Sequence, residues 1–337
     1  MEFIIEQHIR KFGETRHKGQ YADATIRNYI SGIRSLHKLV NGPNSLFDDL
    51  DWARDHQKVL DAISHKQNPQ TKRNLINGLI VSLQTIGYDN NVIKPYEDLR
   101  DQFNAQYVSA GHLTQNQKDI MKNVSKEDIL KFLSKESLDT TLTQDITRLS
   151  CFVILSIHTD YPFRNELGTM RFVRRAIYDK MTDEQKKMNN WVILDNGFHK
   201  MTFAQTKYKT DKIYGIREID VSEKHSKFIL KLCQVRGIKL KGIHNIPVFT
   251  TTNGDSFTKN KLSKFLSEYT TKGLGYPIST TILAKIFGTN CKDPMNPTLE
   301  ELTQMKVEAD IRGHSLKTKF VIYGNYKDDE PDTCVDT

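Results

Sequence analysis

The chain reads as mainly α-helical with a small β-sheet, divided between two domains. Three observations predict this. Its 337 residues are enough for two separate cores. Apolar residues recur at helical spacing through the first third and again after about residue 223. Between about 191 and 222 the pattern changes to short β segments bounded by turn residues.

In ATIRNYISGIRSLHKLV, the residues Ile26, Tyr29, Ile30, Ile33, Leu36 and Val40 fall on one helical face. Arg27, Ser31, Arg34 and Lys38 share another face, either a solvated charged surface or one that tracks phosphates. A second helix is predicted over 71–85, with Leu75, Leu79 and Leu83 inside and Lys72 and Arg73 near its start. These elements belong to a first domain spanning 1–110. The polar, weakly periodic stretch SAGHLTQNQKDIMKNVS predicts a linker over 111–125. Ser125 and Asp128 then form a capping box that opens the helix KEDILKFL. Leu142, Ile146, Leu149 and Val153 mark a helix around 142–157. WVILDN, HKMTFAQ and YGIREIDV predict a three-stranded sheet, its strands separated at Asn196-Gly197 and Tyr214-Gly215. Helices resume at 223–236, 258–272 and 279–288, and Thr298 with Glu301 caps a last helix through about 309. The chain shows no internal repeat and no low-complexity tract.

A hydrophobic content of 37% and a charged content of 27% fit an ordinary globular protein and exclude a disordered one. The formal charge of +8 is unevenly spread, because Lys327 and five acids after Tyr323 carry a local net of −4. Residues 1–323 are therefore at about +12, which suits a polyanionic partner. Cys151, Cys233, Cys291 and Cys334 are too scattered for a zinc ribbon or a disulfide framework. No run reaches the roughly 18 apolar residues of a membrane span, and no signal-peptide pattern opens the chain. The expectation is a soluble, intracellular protein without a metal or other cofactor.

The chemistry-bearing motifs lie in the second half. RGHSLKTKFVIYGNY holds a Gly-His-Ser with Tyr323 nine residues after His314. YPFRNEL offers Arg164 with Glu166 two residues on. TKYKTDKIYGIREIDV offers Lys209, with Lys207 on the same strand face as the alternative. In order and spacing, together with VFTTTNGDSFTKNKLSKFL and ATIRNYISGIRSL, these segments resemble the tyrosine recombinase (phage-type integrase) family. The flavour is that of integrases from large DNA viruses, virophages and related mobile elements, and the resemblance covers nearly the whole chain.

That resemblance implies a two-domain architecture. A helical core-binding domain (1–110) and an α+β catalytic domain (126–323) would form a C-shaped clamp on duplex DNA, followed by an acidic tail (324–337). The tail either docks on a neighbouring protomer's basic surface or only solubilises the chain. The implied activity is site-specific DNA recombination and integration through a 3′-phosphotyrosyl link, by a homotetramer on two attachment sites in the host nucleus or a viral factory. A phenol with a pKa near 10 attacks a phosphodiester only where cations favour the phenolate and the charged transition state. Arg164 would hold non-bridging oxygens with its planar fork. Lys209 would protonate the leaving 5′ oxygen, His314 would hydrogen-bond the phosphate, and Glu166 would orient its neighbours. Arg27, Arg34, Lys38, Lys72, Arg73 and Lys207 are the expected DNA contacts.

One motif departs from the family. Its second motif carries histidine or lysine and then arginine three residues later, whereas ISTTILAKIFGT puts Thr281 and Ala284 there. Loss of that arginine removes half of the phosphate clamp, on the order of 10²–10³ in rate. The alanine is an engineered replacement, a natural weakening, or a loss covered by another cation, Lys285 or Arg312. Lys285 follows Ala284 directly and points roughly 100° away on the helix. Arg312 is the better placed of the two, although a salt bridge also accounts for it. NCKDPMNP lengthens the gap before His314. The alternatives to strand exchange are a DNA-binding protein with weakened catalysis and a type IB topoisomerase-like relaxation activity.

Overall fold

The computed structural model describes residues 1–14, 20–109, 113–198, 200–208, 210–288, 297–313, 315, 316, 318 and 319. The chain is mainly helical with one small sheet, and it divides into two compact units, Met1–Thr114 and Gln115–Thr337. Among the described residues no helix is long and apolar enough to cross a membrane.

The first unit is built from helices α1 (Glu2–Glu14), α2 (Asp23–Asn41), α3 (His56–Ser64), α4 (Pro69–Ile86) and α5 (Asn90–Ser109). The periodicity of α2 buries Ile26, Ile30, Ile33 and Leu36 against Leu75, Leu79 and Leu83 of α4. Asn68 caps α4, accepting from the Gln70 amide, and Pro69 occupies the first helical position. Gly78 lets α4 lie close against α2, since a Cβ there would sit 3.0 Å from the Tyr29 carbonyl oxygen.

The second unit runs α6 (Gln115–Asn123), α7 (Lys126–Leu138), α8 (Ile146–Asp160), β1 (Arg171–Arg174), α9 (Arg175–Tyr178), α10 (Asp183–Lys186), β2 (Trp191–Leu194) and β3 (Met201–Gln205). It continues with α11 (Asp211–Tyr214), β4 (Arg217–Asp220), α12 (Glu223–Val235), β5 (His244–Pro247), α13 (Lys259–Leu274), α14 (Thr280–Ile286) and α15 (Leu299–Arg312). Helix α8 is buried without a break from Leu149 to His158 and forms the spine of the core. The sheet order is β4-β3-β2-β1-β5, with β1 and β2 parallel and the other pairs antiparallel. Its strands alternate as the pleat requires: Phe172, Val192, Leu194 and Phe203 enter the main core, while Val173, Trp191, Ile193 and Ala204 build a second cluster on the other face.

Two expectations are corrected here. The sheet has five strands, not three, because RFVR and HNIP add β1 and β5. The first is four residues long with arginine at both ends, and the second is an edge strand paired through an irregular register, so neither shows a strong alternation. The stretch expected to be a bare linker at 111–125 contains α6, whose Ile120 is buried between the buried Leu113 and Val124. The capping boxes at Ser125–Asp128 and Thr298–Glu301 form as their spacing predicts.

Candidate functional site

Arg164 lies at the mouth of a short 3₁₀ turn, Asn165–Thr169, rather than at the start of an α-helix. Its side chain is half-buried, and among the described residues the guanidinium has no hydrogen-bond or ion-pair partner. Glu166 is buried, and its carboxylate accepts from the Lys259 ammonium at the start of α13, 2.9 Å away. Lys259 was not anticipated, since nothing local links residues 93 positions apart.

Arg164 and helix α14 are fastened together. Thr280 opens α14, and its hydroxyl donates to the Asn165 side chain at 2.9 Å. Thr281 is half-buried, and Ala284 is fully enclosed at 1% exposure. Arg312, the last residue of α15, crosses to the same place. Its Nη1 donates to the carbonyls of Pro162, Phe163 and Thr280 at 3.2, 3.3 and 3.4 Å. These three contacts are with backbone oxygens on either side of the Arg164–α14 junction. His158, buried below, hydrogen-bonds the Ile154 carbonyl, and burial with the nearby Arg312 charge pushes its imidazole down to about 4. It is neutral at physiological pH.

The loop after β3 is held against the end of α15. Lys209 and His314 both lie outside the described residues, but their neighbours touch. The Thr210 hydroxyl donates to the Gly313 carbonyl. Gly313 caps α15 in the left-handed region at φ +69°, and a Cβ there would lie 2.7 Å from the Tyr208 ring. Tyr208 is itself fixed by a 2.8 Å bond from its hydroxyl to the Gly215 carbonyl and by the Arg217 guanidinium over its ring. The side chain of Asn190 supports the same loop, accepting from the amides of Thr206 and Lys207 and donating to the Lys207 carbonyl. Strand β3 ends at Gln205, so Lys207 does not share a strand face with position 209 as expected; its side chain is exposed in the loop. Tyr323 also lies outside the described residues, as do residues 324–337 and most of NCKDPMNP.

Beneath this junction sits a group of buried charges. Lys319 donates to Glu308 at 2.5 Å, with both side chains almost fully enclosed. Lys285 is 5% exposed, and burial, together with the positive charges of Lys319 and Arg312, pushes its ammonium down to about 8.

The first unit carries the remaining predicted contacts. Arg27, Ser31, Arg34 and Lys38 line the exposed face of α2, and Arg34 is engaged by the Glu2 carboxylate of α1. Lys72 and Arg73 are half-buried instead. Lys72 donates to the Ser64 carbonyl and lies over Phe103; Arg73 donates to Asn104 at 2.7 Å and lies over Tyr107.

No model of a known protein family matches the chain, and no curated protein matches it in sequence. Among solved structures the chain is similar to that described as the crystal structure of XerA recombinase, with a TM-score of 0.39 and 12% identity over 98% of this chain and 95% of that one.

Proposed function

We propose that the chain exchanges DNA strands at specific sites as a tyrosine recombinase. The Tyr323 phenol gives up its proton to solvent as its oxygen attacks the scissile phosphorus, a P–O bond to tyrosine forms, and the P–O5′ bond breaks. Lys209 delivers a proton to the departing 5′ oxygen. Arg164 and His314 hold the non-bridging oxygens, and Glu166, tied to Lys259, sets the turn that presents Arg164. Attack by a 5′ hydroxyl on the phosphotyrosine reverses these steps, so rejoining needs no ATP. The tetramer on two duplexes follows from the need for four strand cuts. Exposed cations on α2 and the loop lysine at 207 grip phosphates, which makes affinity fall steeply with salt.

The observation that carries this reading is the meeting of the flanks of four motif segments far apart in sequence. The backbone before Arg164 is bonded to Arg312, the opening of α14 to Asn165, and Thr210 to Gly313. Chance placement of the motifs along an unrelated fold gives no reason for their flanks to touch.

The test is a nicked duplex carrying the junction sequence that flanks the parent element. Incubation is expected to give a covalent protein–DNA adduct that survives denaturation and disappears in Tyr323→Phe. Salt-sensitive binding of that duplex with no adduct favours the second reading, a DNA-binding protein with lapsed catalysis, for which Ala284 is the specific reason. Relaxation of supercoiled plasmids lacking the junction sequence favours a topoisomerase-like activity instead.

A further inference from the structure

We propose that Arg312 is the positioning cation of this centre, buried under the backbone that bears Arg164 and supplying the positive charge absent at Ala284. The proposal rests on the strand-exchange reading and deepens it. A phosphoryl transition state spreads negative charge over its non-bridging oxygens, and a single arginine meets only part of it. Position 284 offers a methyl group.

The geometry supplies the substitute from another helix. The Thr280 carbonyl that receives Arg312 is the one that faces the Ala284 amide in the i→i+4 pattern of α14. The Arg312 guanidinium thus arrives at the helical turn that Thr280 and Ala284 share. Its other two acceptors, Pro162 and Phe163, lead directly into Arg164. One guanidinium nitrogen, Nη1, therefore ties the backbone before Arg164 to α14.

Burial makes the charge count. At 4% exposure, Arg312 acts through protein rather than through water, so its field is screened far less than that of a surface arginine. Lys285 stands close enough to feel it, and Lys319 beside it is paired with Glu308. Arg312 lies immediately before the Gly313 turn that leads to His314, so the same residue also anchors the last motif segment.

The experiment compares the full chain with Arg312→Met, Arg312→Lys, Ala284→Arg and the double variant Arg312→Met/Ala284→Arg. The substrates are the nicked junction duplex and the same duplex with a methylphosphonate at the scissile position, which lacks one negative oxygen. Arg312→Met is expected to slow adduct formation on the phosphate by on the order of 10²-fold. On the methylphosphonate the loss should shrink to within about tenfold, because less charge requires neutralising. Arg312→Lys should fall between, and Ala284→Arg should restore at least about tenfold to the Met variant.

Equal losses on both substrates without rescue by Ala284→Arg would reduce Arg312 to a backbone staple and overturn the proposal. So would an Arg312→Met rate within about threefold of the unaltered chain, or an adduct that appears only after Ala284→Arg with Arg312 in place. If Arg312→Met does not fold, the phosphate-to-methylphosphonate rate ratio of Arg312→Lys decides, and a ratio equal to that of the unaltered chain overturns the proposal. No adduct from either the unaltered chain or Ala284→Arg on a confirmed junction removes the strand-exchange reading and this proposal together. An adduct that is indifferent to position 312 removes the proposal alone.

Discussion

The cations of the two units live in opposite environments. On α2 of the first unit, Arg34 is half in water and meets Glu2 across a surface ion pair, while Arg10 of α1 meets Glu6 and Asp23. In the second unit, Arg312, Lys285 and Lys319 are each 5% exposed or less and share their enclosure with Glu308. Water and salt dissipate the first kind of charge within about 10 Å, so such residues can be exchanged with little consequence for folding. The second kind sits in a medium that solvates it poorly, so removing one member of the Lys319–Glu308 pair strands the other. The difference teaches what each kind of charge can do: one exchanges freely with salt and water, and the other sets a fixed field inside the fold.

The largest effect expected from breaking that contrast comes from Glu308. Glu308→Ala leaves Lys319 buried beside two other cations, and removal of one partner of a buried pair typically costs about 3–5 kcal/mol. Urea unfolding should report a loss of that size. A loss below about 1 kcal/mol would mean that the group is as well solvated as a surface pair.

Lys285 gives a pH-dependent version of the same test. Its ammonium is pushed from 10.5 down to about 8 by burial and by the charges of Lys319 and Arg312. Between those values the unfolded chain holds a proton that the folded chain has released, so stability rises with pH across that window. The gain is complete above the unfolded value and absent below the folded one. Lys285→Met should therefore be more stable than the parent at pH 7, by on the order of 2–3 kcal/mol. The advantage should shrink as the pH approaches 10. Parallel stability curves for the two proteins across pH 7–10 would show that Lys285 keeps an ordinary affinity for its proton.

Gly313 probes the connection between the lysine loop and the last motif. Alanine there must adopt φ +69° and bring a Cβ to 2.7 Å from the Tyr208 ring. The backbone strain alone costs about 1 kcal/mol, and relief by moving Tyr208 would disturb the loop before position 209. The expected result is a lower midpoint of thermal unfolding together with slower adduct formation. Tyr208→Ala/Gly313→Ala should recover part of the stability and none of the rate.

These sites differ in how far the sequence discloses them. Helix α2 was legible because Ile26, Ile30, Ile33 and Leu36 repeat a period that only one secondary structure satisfies. The boxes at Ser125–Asp128 and Thr298–Glu301 were legible because capping is decided within four residues. Helix α6 was not, since a single buried Ile120 among polar residues carries no period. Strands β1 and β5 exist because partners far along the chain complete them, and four-residue segments hold too little pattern to announce that. At the candidate site the residue types were legible and their relations were not. Arg312 could be suspected as a spare cation. That it reaches Phe163 and Thr280 depends on contacts spanning 149 and 32 residues, which only the fold brings about.

The smallest expected effect belongs to the outer surface. Arg34 hydrogen-bonds the Glu2 carboxylate and holds its pKa below the usual value, so the pair stays ionised throughout the neutral range. Glu2 and Glu6 line the same groove as Arg27, Ser31 and Arg34, and their charge competes with any phosphate brought to that face. Glu2→Gln should leave the unfolding midpoint almost unmoved, because an exposed pair contributes little to folding. Binding of a random-sequence duplex at low salt should nevertheless tighten by about two- to fivefold, with the log–log salt slope steeper by about 0.9, the signature of one added phosphate contact. Arg34→Gln should do the reverse, and the double variant should resemble Arg34→Gln, since Glu2 has nothing left to mask. A Glu2→Gln protein whose affinity and salt slope match the parent would detach this face of α2 from DNA binding while leaving the buried centre of the second unit untouched.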